Sequence, residues 1–539
     1  MSVPTSSAPR SIATSTLGYG LVIGTCVTAF VLGRPLWFFS DDWNIYSDFH
    51  RSRDLLRPFN SHLSTVPVAL YQVLFHTVGV EVYWPYRLVG VAAYGLLGWA
   101  VFRFARDRLA GVPAVLVTAA VLWNSAGVTN AMFPFLMNFS IPVAALAIIW
   151  RHLERARRTS GSGVAGHELV ASVWLVVALA TSGLGLLVAV AVAVHLVWTR
   201  PPVRTWLAMA PGPLLWLVWY SLRGVDSPPS GGLRPVASYA VRMIWGGFTS
   251  LAFGQRWFGL VLAVAYLVLV VLAAVWWRSF DAVAGGSLAA CGAFAVLTAV
   301  SRIGVVPHIP PDELRYRWTV AAFLVLAAVP MMPGWPRRRG DVWSRAFVGL
   351  GAVLVVVNGV LLVRDVDRWV TMVEQSKPGL AANLWVVERA AADRTLDATT
   401  RLPLSYVPVT AGDYIGAVGA VGSPIAGWPL DALGGTAASR RQADEALVRQ
   451  YRVRLVPPDQ TCRVGRDRLV TAGPQAVGVT VGLFGSASNL APVGTVPAGT
   501  TRVLRLRSIT EAASMHWKVS ARGARVVACS ATAARRGGR

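Results

Sequence analysis

The chain has 539 residues, of which 54% are hydrophobic and only 14% charged, with a mean hydropathy of +0.52. That balance excludes an ordinary soluble globular protein and describes a chain that crosses a membrane many times. The formal charge of +24 would suggest nucleic acid in a soluble protein, but here topology comes first. Except for Lys377 and Lys518 the basic residues are all arginine, and they cluster after alternate apolar stretches, at 103–108, 151–158, 200–204, 278 and 337–345. This is the positive-inside pattern.

A hydrocarbon core about 30 Å thick needs roughly 20 apolar residues per helix. Eleven stretches qualify or come close: 17–38, 87–102, 112–128, 133–150, 168–182, 183–199, 205–222, 259–277, 283–304, 317–333 and 345–363. The single arginine before the first stretch, with no small-residue cleavage site after it, reads as an uncleaved first helix. The arginine clusters place the N-terminus in the cytoplasm, and an odd number of spans places everything after residue 364 outside.

In chain order, the first outer loop, 39–86, opens on LWFFSDDWNIYSDF, where Asp41 and Asp42 follow the first span directly. Ionisable groups at the edge of a membrane bundle tend to mark substrate sites or ion pathways. A carboxylate there can take a proton from a hydroxyl nucleophile; the alternative is that the pair caps a helix beginning at WNIYSDF. Asp48 reads as part of a solvated face. The loop continues through RPFNSHLSTVP with Arg57, Asn60 and His62, which could hold an anionic headgroup, into a helix lying in the interface. The second outer loop is NSAGVTNAMFPFLMN. The third, 223–258, ends in an amphipathic aromatic run. In the fourth, VPHIPPDELRYRW, Arg315 and Arg317 flank Tyr316 at the outer end of a span, against the positive-inside trend; guanidinium groups can grip phosphate there in bidentate fashion, or they can pair with Asp312 and Glu313.

After residue 364 the hydropathy falls. Residues 365–396 suggest a helix leaving the membrane, 400–436 a loop-dominated stretch, and 437–450 another helix. From 451 onward, YRVRLV, GVTVGLF, TRVLRLRSI, HWKVSA and RVVACS alternate between turn residues, as in a small β-sandwich. Cys462 and Cys529 lie in this region, where an oxidising compartment would let them pair. The organisation expected is therefore a membrane domain over 1–363, a helical and loop region over 364–450, a β-sandwich over 451–530 and a basic tail over 531–539. No metal-ligand spacing, nucleophile elbow or phosphate loop is present in the sequence.

SDDWNIYSDF after the first span, RPFNSHLSTVPVALY leading into an interfacial helix, and RYRW before a late span together resemble the GT-C superfamily of polytopic glycosyltransferases. The resemblance covers the membrane portion and, in the terminal region, extends to arabinosyl- and mannosyltransferases of actinobacterial cell-wall assembly. It implies an enzyme taking sugar from a polyprenyl-phosphate donor in the bilayer and passing it, with inversion, to a glycan or glycolipid acceptor on the outer face. Asp41 or Asp42 would be the base, and Arg315, Arg317 and one of His62 and Arg57 would bind the donor phosphate. Trp43, Asn60, Asn138, His308 and Tyr316 would line the substrate pocket, and the terminal domain would hold carbohydrate. Many relatives carry an acid in the second outer loop, where this chain has Asn124, Asn130 and Asn138; that favours a mechanism without metal, and no other cofactor is implied. The rival readings are a transporter or flippase of lipid-linked glycans, with the acids as a proton relay, and an envelope scaffold without catalysis.

Overall fold

The computed structural model describes residues 12–50, 54–109, 111–159, 163–223, 232–303, 309–332, 342–404, 409–429, 433, 435–457, 462–464, 466–486, 490–507, 509 and 517–529. His308, named above as a pocket residue, and the basic tail lie outside the described residues. Helices in chain order are α1 (Ile12–Leu32), α2 (Asp41–Phe49), α3 (Thr65–Thr77), α4 (Trp84–Arg108), α5 (Val112–Leu122), α6 (Val128–Met132), α7 (Met137–Arg158), α8 (Gly163–Thr181) and α9 (Leu184–Thr199). There follow α10 (Val203–Met209), α11 (Pro211–Arg223), α12 (Leu233–Leu251), α13 (Arg256–Val271), α14 (Ala282–Arg302), α15 (Leu314–Met331) and α16 (Val342–Ala392). The last part holds α17 (Ala411–Val421), α18 (Ala437–Gln450) and nine strands.

The chain forms two compact units. The first comprises Met1–Arg34, Arg53–Leu74 and Trp84–Trp369; the second comprises Pro35–Ser52, Phe75–Tyr83 and Val370–Arg539. Two pieces of the first outer loop therefore pack with the C-terminal part of the chain, a partition that hydropathy gives no hint of.

Among the described residues, eight helices are long and apolar enough to cross a membrane, or nine if the bent pair Val112–Leu122 and Ser125–Met132 is one span. Each of the eleven apolar stretches contains a helix, but the first stops at Leu32 and does not reach residue 38, and three others depart from single straight spans. The stretch 112–128 ends at Leu122 and resumes at an angle of 52°, because the Asn124 side chain accepts from the Ala126 N–H and starts a new turn. The stretch 205–222 is split into α10 and α11 at Pro211, and neither Pro211 nor Pro213 can donate to the preceding turn. The stretch 183–199 forms only the 16 residues of α9.

The ends of the long helices meet in charge pairs. Arg151 in the second half of α7 donates to Asp107 at the end of α4 at 2.6 Å, and Arg108 pairs with Glu154. Arg103 and Arg106 reach Tyr19 and Ser15 on the first two turns of α1. The start of α1 thus shares one end of this unit with the arginine-rich ends of α4 and α7, the arrangement that arginine clustering implies.

In the second unit, β1 (Arg401–Leu402) and β2 (Val409–Thr410) pair antiparallel ahead of α17. The terminal strands are β3 (Arg454–Val456), β4 (Arg468–Ala472), β5 (Val477–Gly482), β6 (Ala491–Val496), β7 (Thr501–Arg505), β8 (Lys518–Ser520) and β9 (Ala524–Ala528). They form a four-stranded sheet in the order β3-β7-β4-β9 and a three-stranded sheet β6-β5-β8, with β6 packing across to β3 and β4. Every described pairing is antiparallel, as the alternating pattern requires. One carboxylate fixes the helix that covers this domain. Asp444 of α18 is fully buried and accepts from the backbone N–H groups of Leu483, Phe484 and Gly485 at 2.7, 3.0 and 2.8 Å. Cys462 and Cys529 form a disulfide with their Cα atoms 6.0 Å apart, closing 67 residues of chain.

Closing a loop of that length removes enough unfolded-chain entropy to stabilise the domain by about 4 kcal/mol. Cys462→Ser with Cys529→Ser is expected to lower the midpoint of the terminal domain's thermal unfolding clearly. Peptide mapping without reductant should recover the two cysteines in one linked species; separate peptides carrying free thiols would refute the pairing.

Candidate functional site

The carboxylate pair belongs to the second unit. Ser40 takes a left-handed backbone with φ 48°, uncommon for a residue with a Cβ, and this turns the chain abruptly from the Trp37-Phe38 segment into α2. Ser40 itself is the N-cap and makes no side-chain cap bond; Asp41 and Asp42 form the first turn, where the helix dipole favours negative charge. The two then differ sharply. Asp42 is fully buried, and its Oδ2 accepts from the Phe39 N–H at 3.0 Å and from the Tyr83 hydroxyl at 2.7 Å. Asp41 is partly exposed. Asp42 thus ties the segment just ahead of α2 to Tyr83 through its carboxylate. Asp48 is exposed.

Around the pair the second unit is dense in aromatic rings. Trp37 and Trp43, on either side of it in the chain, meet edge to face with centroids 5.2 Å apart. Phe38 packs on Tyr83 at 4.8 Å. Tyr46 donates from its hydroxyl to the Gly422 carbonyl at 2.6 Å, and its ring lies against Phe75 and Tyr414. Trp43 and Asn44 are buried, yet the indole N–H and both amide atoms have no hydrogen-bond partner among the described residues. Buried polar groups are normally paired, so groups left open mark places where a ligand or ordered water belongs.

The other predicted residues belong to the first unit and gather at one end of it. Asn60 and Ser61 both take positive φ, 48° and 64°, and form the corner of a tight hairpin in which Phe59 and His62 exchange backbone bonds of 2.9 Å each. That corner drives the His62 ring against Gly183, where a Cβ would lie 2.9 Å from Nδ1. The next links are Ser182, whose hydroxyl donates to the Asn138 carbonyl at 2.7 Å, and Phe135, which packs on Phe59 at 5.0 Å. Burial, reinforced by the nearby charge of Arg302, pushes the His62 imidazole down to about 4. His62 is therefore neutral at physiological pH and offers a hydrogen bond, not a positive charge. The neighbouring cation is Arg302, at the end of α14, which sequence reasoning passed over because it reads as the tail of an apolar span. Arg57 and Asn60 are exposed on the hairpin.

Arg315 and Arg317 stand on the first turn of α15, which begins at Leu314, so the RYRW segment is helical rather than a loop. Two residues on a helix lie about 200° apart around its axis, and the two side chains diverge accordingly. Arg317 crosses Gly246 of α12 and donates from Nε to its carbonyl at 3.4 Å. The Arg315 guanidinium lies 5.5 Å from the Tyr316 ring centroid. Tyr316 is buried edge-on to Phe294, and its hydroxyl has no partner among the described residues. In the second outer loop, Asn130 is buried with both amide atoms open, as is Oδ1 of Asn138, whereas Asn124 donates to Ser250 at 3.2 Å. No group of three or more His, Cys, Asp or Glu side chains among the described residues is arranged to hold a metal ion.

No family model matches the sequence, and no curated protein matches it. Two solved structures are similar in chain path: the crystal structure of ArnT from Cupriavidus metallidurans bound to undecaprenyl phosphate, at 14% identity and a TM-score of 0.45 over 75% of this chain and 85% of that one, and ArnT from the same organism in the apo state, at 15% identity and 0.43 over 73% and 82%. At such low values the likeness assigns no role to any residue.

The depressed imidazole has a consequence for stability. Between about pH 4 and 6.5 the unfolded chain binds a proton at His62 that the folded chain refuses, so stability falls as pH drops through that window. His62→Gln, which keeps a hydrogen-bonding side chain but cannot titrate, should flatten this part of the unfolding profile measured in detergent. An unchanged slope would show that the ring is not held neutral.

Proposed function

We propose that the protein is a membrane glycosyltransferase that moves a sugar, arabinofuranose or mannose, from a polyprenyl-phosphate donor to a cell-envelope glycan or glycolipid on the outer face. The observation that carries this reading is the different exposure of the acidic pair: Asp42 is buried and accepts from the Tyr83 hydroxyl and the Phe39 N–H, while Asp41 is partly exposed at the start of α2. A base must reach the proton that it removes, and of the two Asp41 is the one exposed to an incoming acceptor.

In the proposed reaction the acceptor hydroxyl gives its proton to Asp41, and its oxygen forms a bond to the anomeric carbon of the donor. The bond from that carbon to the phosphate oxygen breaks on the opposite side, its electron pair stays on oxygen, and polyprenyl phosphate leaves. The configuration inverts. Arg315 and Arg317, with Arg302 added to the residues expected from sequence, supply cations for the growing phosphate charge, and neutral His62 supplies a hydrogen-bond donor. None of these steps calls on a metal.

Purified protein in nanodiscs, offered a panel of polyprenyl-phosphate sugars, should yield transferred product detectable by mass spectrometry. Removal of a general base typically costs 10²- to 10⁴-fold, so Asp41→Asn should cut turnover by about 10³ while leaving the unfolding midpoint in place. Asp42→Asn should act mainly on stability, because it weakens the bond to Tyr83. Arg317→Ala should raise the donor KM. Undiminished product with Asp41→Asn would sink the catalytic assignment, and protein that translocates lipid-linked glycan without altering it would be a transporter.

A further inference from the structure

Lys377 is one of two lysines in a chain with 50 basic residues, and it stands within the second unit beside two stacked tryptophans. Its Nζ lies 4.9 Å from the Trp428 ring centroid and 5.7 Å from that of Trp37, and the two indoles are stacked with centroids 5.3 Å apart at 29°. Trp37 is buried at 3% exposure, with Trp43 against its edge, whereas Trp428 and Lys377 are partly exposed.

The turn that carries Trp428 is built into the unit. Gly422 and Gly427 take φ of 91° and 73°, which other residues adopt only with strain. Tyr46 holds the Gly422 carbonyl, and Ser423 and Tyr414 both donate to the same Glu388 oxygen at 2.6 Å. Glu388 thus sets the turn, and the turn sets the Trp428 ring.

Two unspent capacities meet here. The Lys377 ammonium has no hydrogen-bond or ion-pair acceptor among the described residues; its charge rests on two indole faces, an attraction that leaves the N–H donors available. The exposed part of Trp428 offers an electron-rich, apolar plane. The acid electrostatically closest to Lys377 is Glu374, one turn earlier and itself exposed, and Asp41 lies four residues beyond Trp37 in the chain. A ligand that uses both carries an anionic group and a face of C–H bonds.

We propose that Lys377 and Trp428 form a binding site for a saccharide that carries an anionic group, with the anion on the Lys377 ammonium and a sugar face on the Trp428 indole. The site deepens the glycosyl-transfer reading by making the acceptor an acidic glycan, and it rests on that reading only for this acceptor role; binding needs no turnover.

The test uses the full chain in phosphatidylcholine nanodiscs and two probes, methyl β-D-glucuronide and methyl β-D-glucoside, followed by ligand-observed saturation-transfer NMR. A single charge-assisted contact should make the glucuronide bind about tenfold tighter. Lys377→Met should remove that preference, Lys377→Arg should restore part of it, and Trp428→Ala should weaken both probes. Equal binding of the two probes by the unaltered protein, or a preference surviving in Lys377→Met, would overturn the site, as would binding of neither. Full displacement of the glucuronide by inorganic phosphate, together with no effect of Trp428→Ala, would reduce it to a bare anion site and also count against it. Asp41→Asn should keep the binding while losing transfer, so failure of the catalytic reading and failure of this one give different results.

Discussion

A carboxylate taken out of water must be given hydrogen bonds in return, and the second unit is organised around that requirement at Asp42. Its Oδ2 accepts from the Tyr83 hydroxyl and from the Phe39 N–H. One oxygen atom thereby joins the start of α2 to the end of the first outer loop, 41 residues on. Leaving such a charge unpaired costs several kcal/mol, so each of the two segments is held by the other. With that bond in place the aromatic residues of 35–52 and 75–83 have fixed neighbours: Phe38 on Tyr83, Tyr46 on Phe75, Trp43 on Trp37.

The same accounting recurs deeper in the unit. Asp444 is buried beneath three backbone N–H groups and locks α18 to the β-domain. Glu388 takes two hydroxyls and thereby shapes the Trp428 turn. Acids that meet their full complement of donors serve the architecture. The contrast is with groups whose capacity stays open among the described residues: the Trp43 indole N–H, the Asn44 and Asn130 amides, and the Lys377 ammonium. Buried polar groups are normally paired, so those left open mark places for a ligand or an ordered water.

In the first unit, desolvation serves a different end. The hairpin corner at Asn60-Ser61 presses His62 onto Gly183 near Arg302, and burial strips the imidazole of its proton. The ring keeps a hydrogen bond to give. Positive charge at this end of the unit then rests on arginines, whose guanidinium groups stay ionised in surroundings that would neutralise histidine or lysine.

Much of the secondary structure was legible in the chain because periodicity and punctuation are local. The apolar stretches are helical, the helix expected over 437–450 is α18, and each alternating segment after 451 supplies a strand. Strands β4 and β6 escaped notice because RLVTA and APVGTV are short and carry weak alternation. Breaks in spans were harder: Asn124 ends a helix through a side-chain bond that composition does not announce, and α15 starts early enough to make RYRW helical. The sequence by itself determined that the chain is a polytopic membrane protein with a terminal β-domain, since hydropathy and alternation follow from burial against lipid or core. Only the tertiary structure separated Asp41 from Asp42, lowered His62, and brought Trp37, Lys377 and Trp428 together. Those outcomes depend on which distant residues share a buried space, and no local pattern of side chains encodes that.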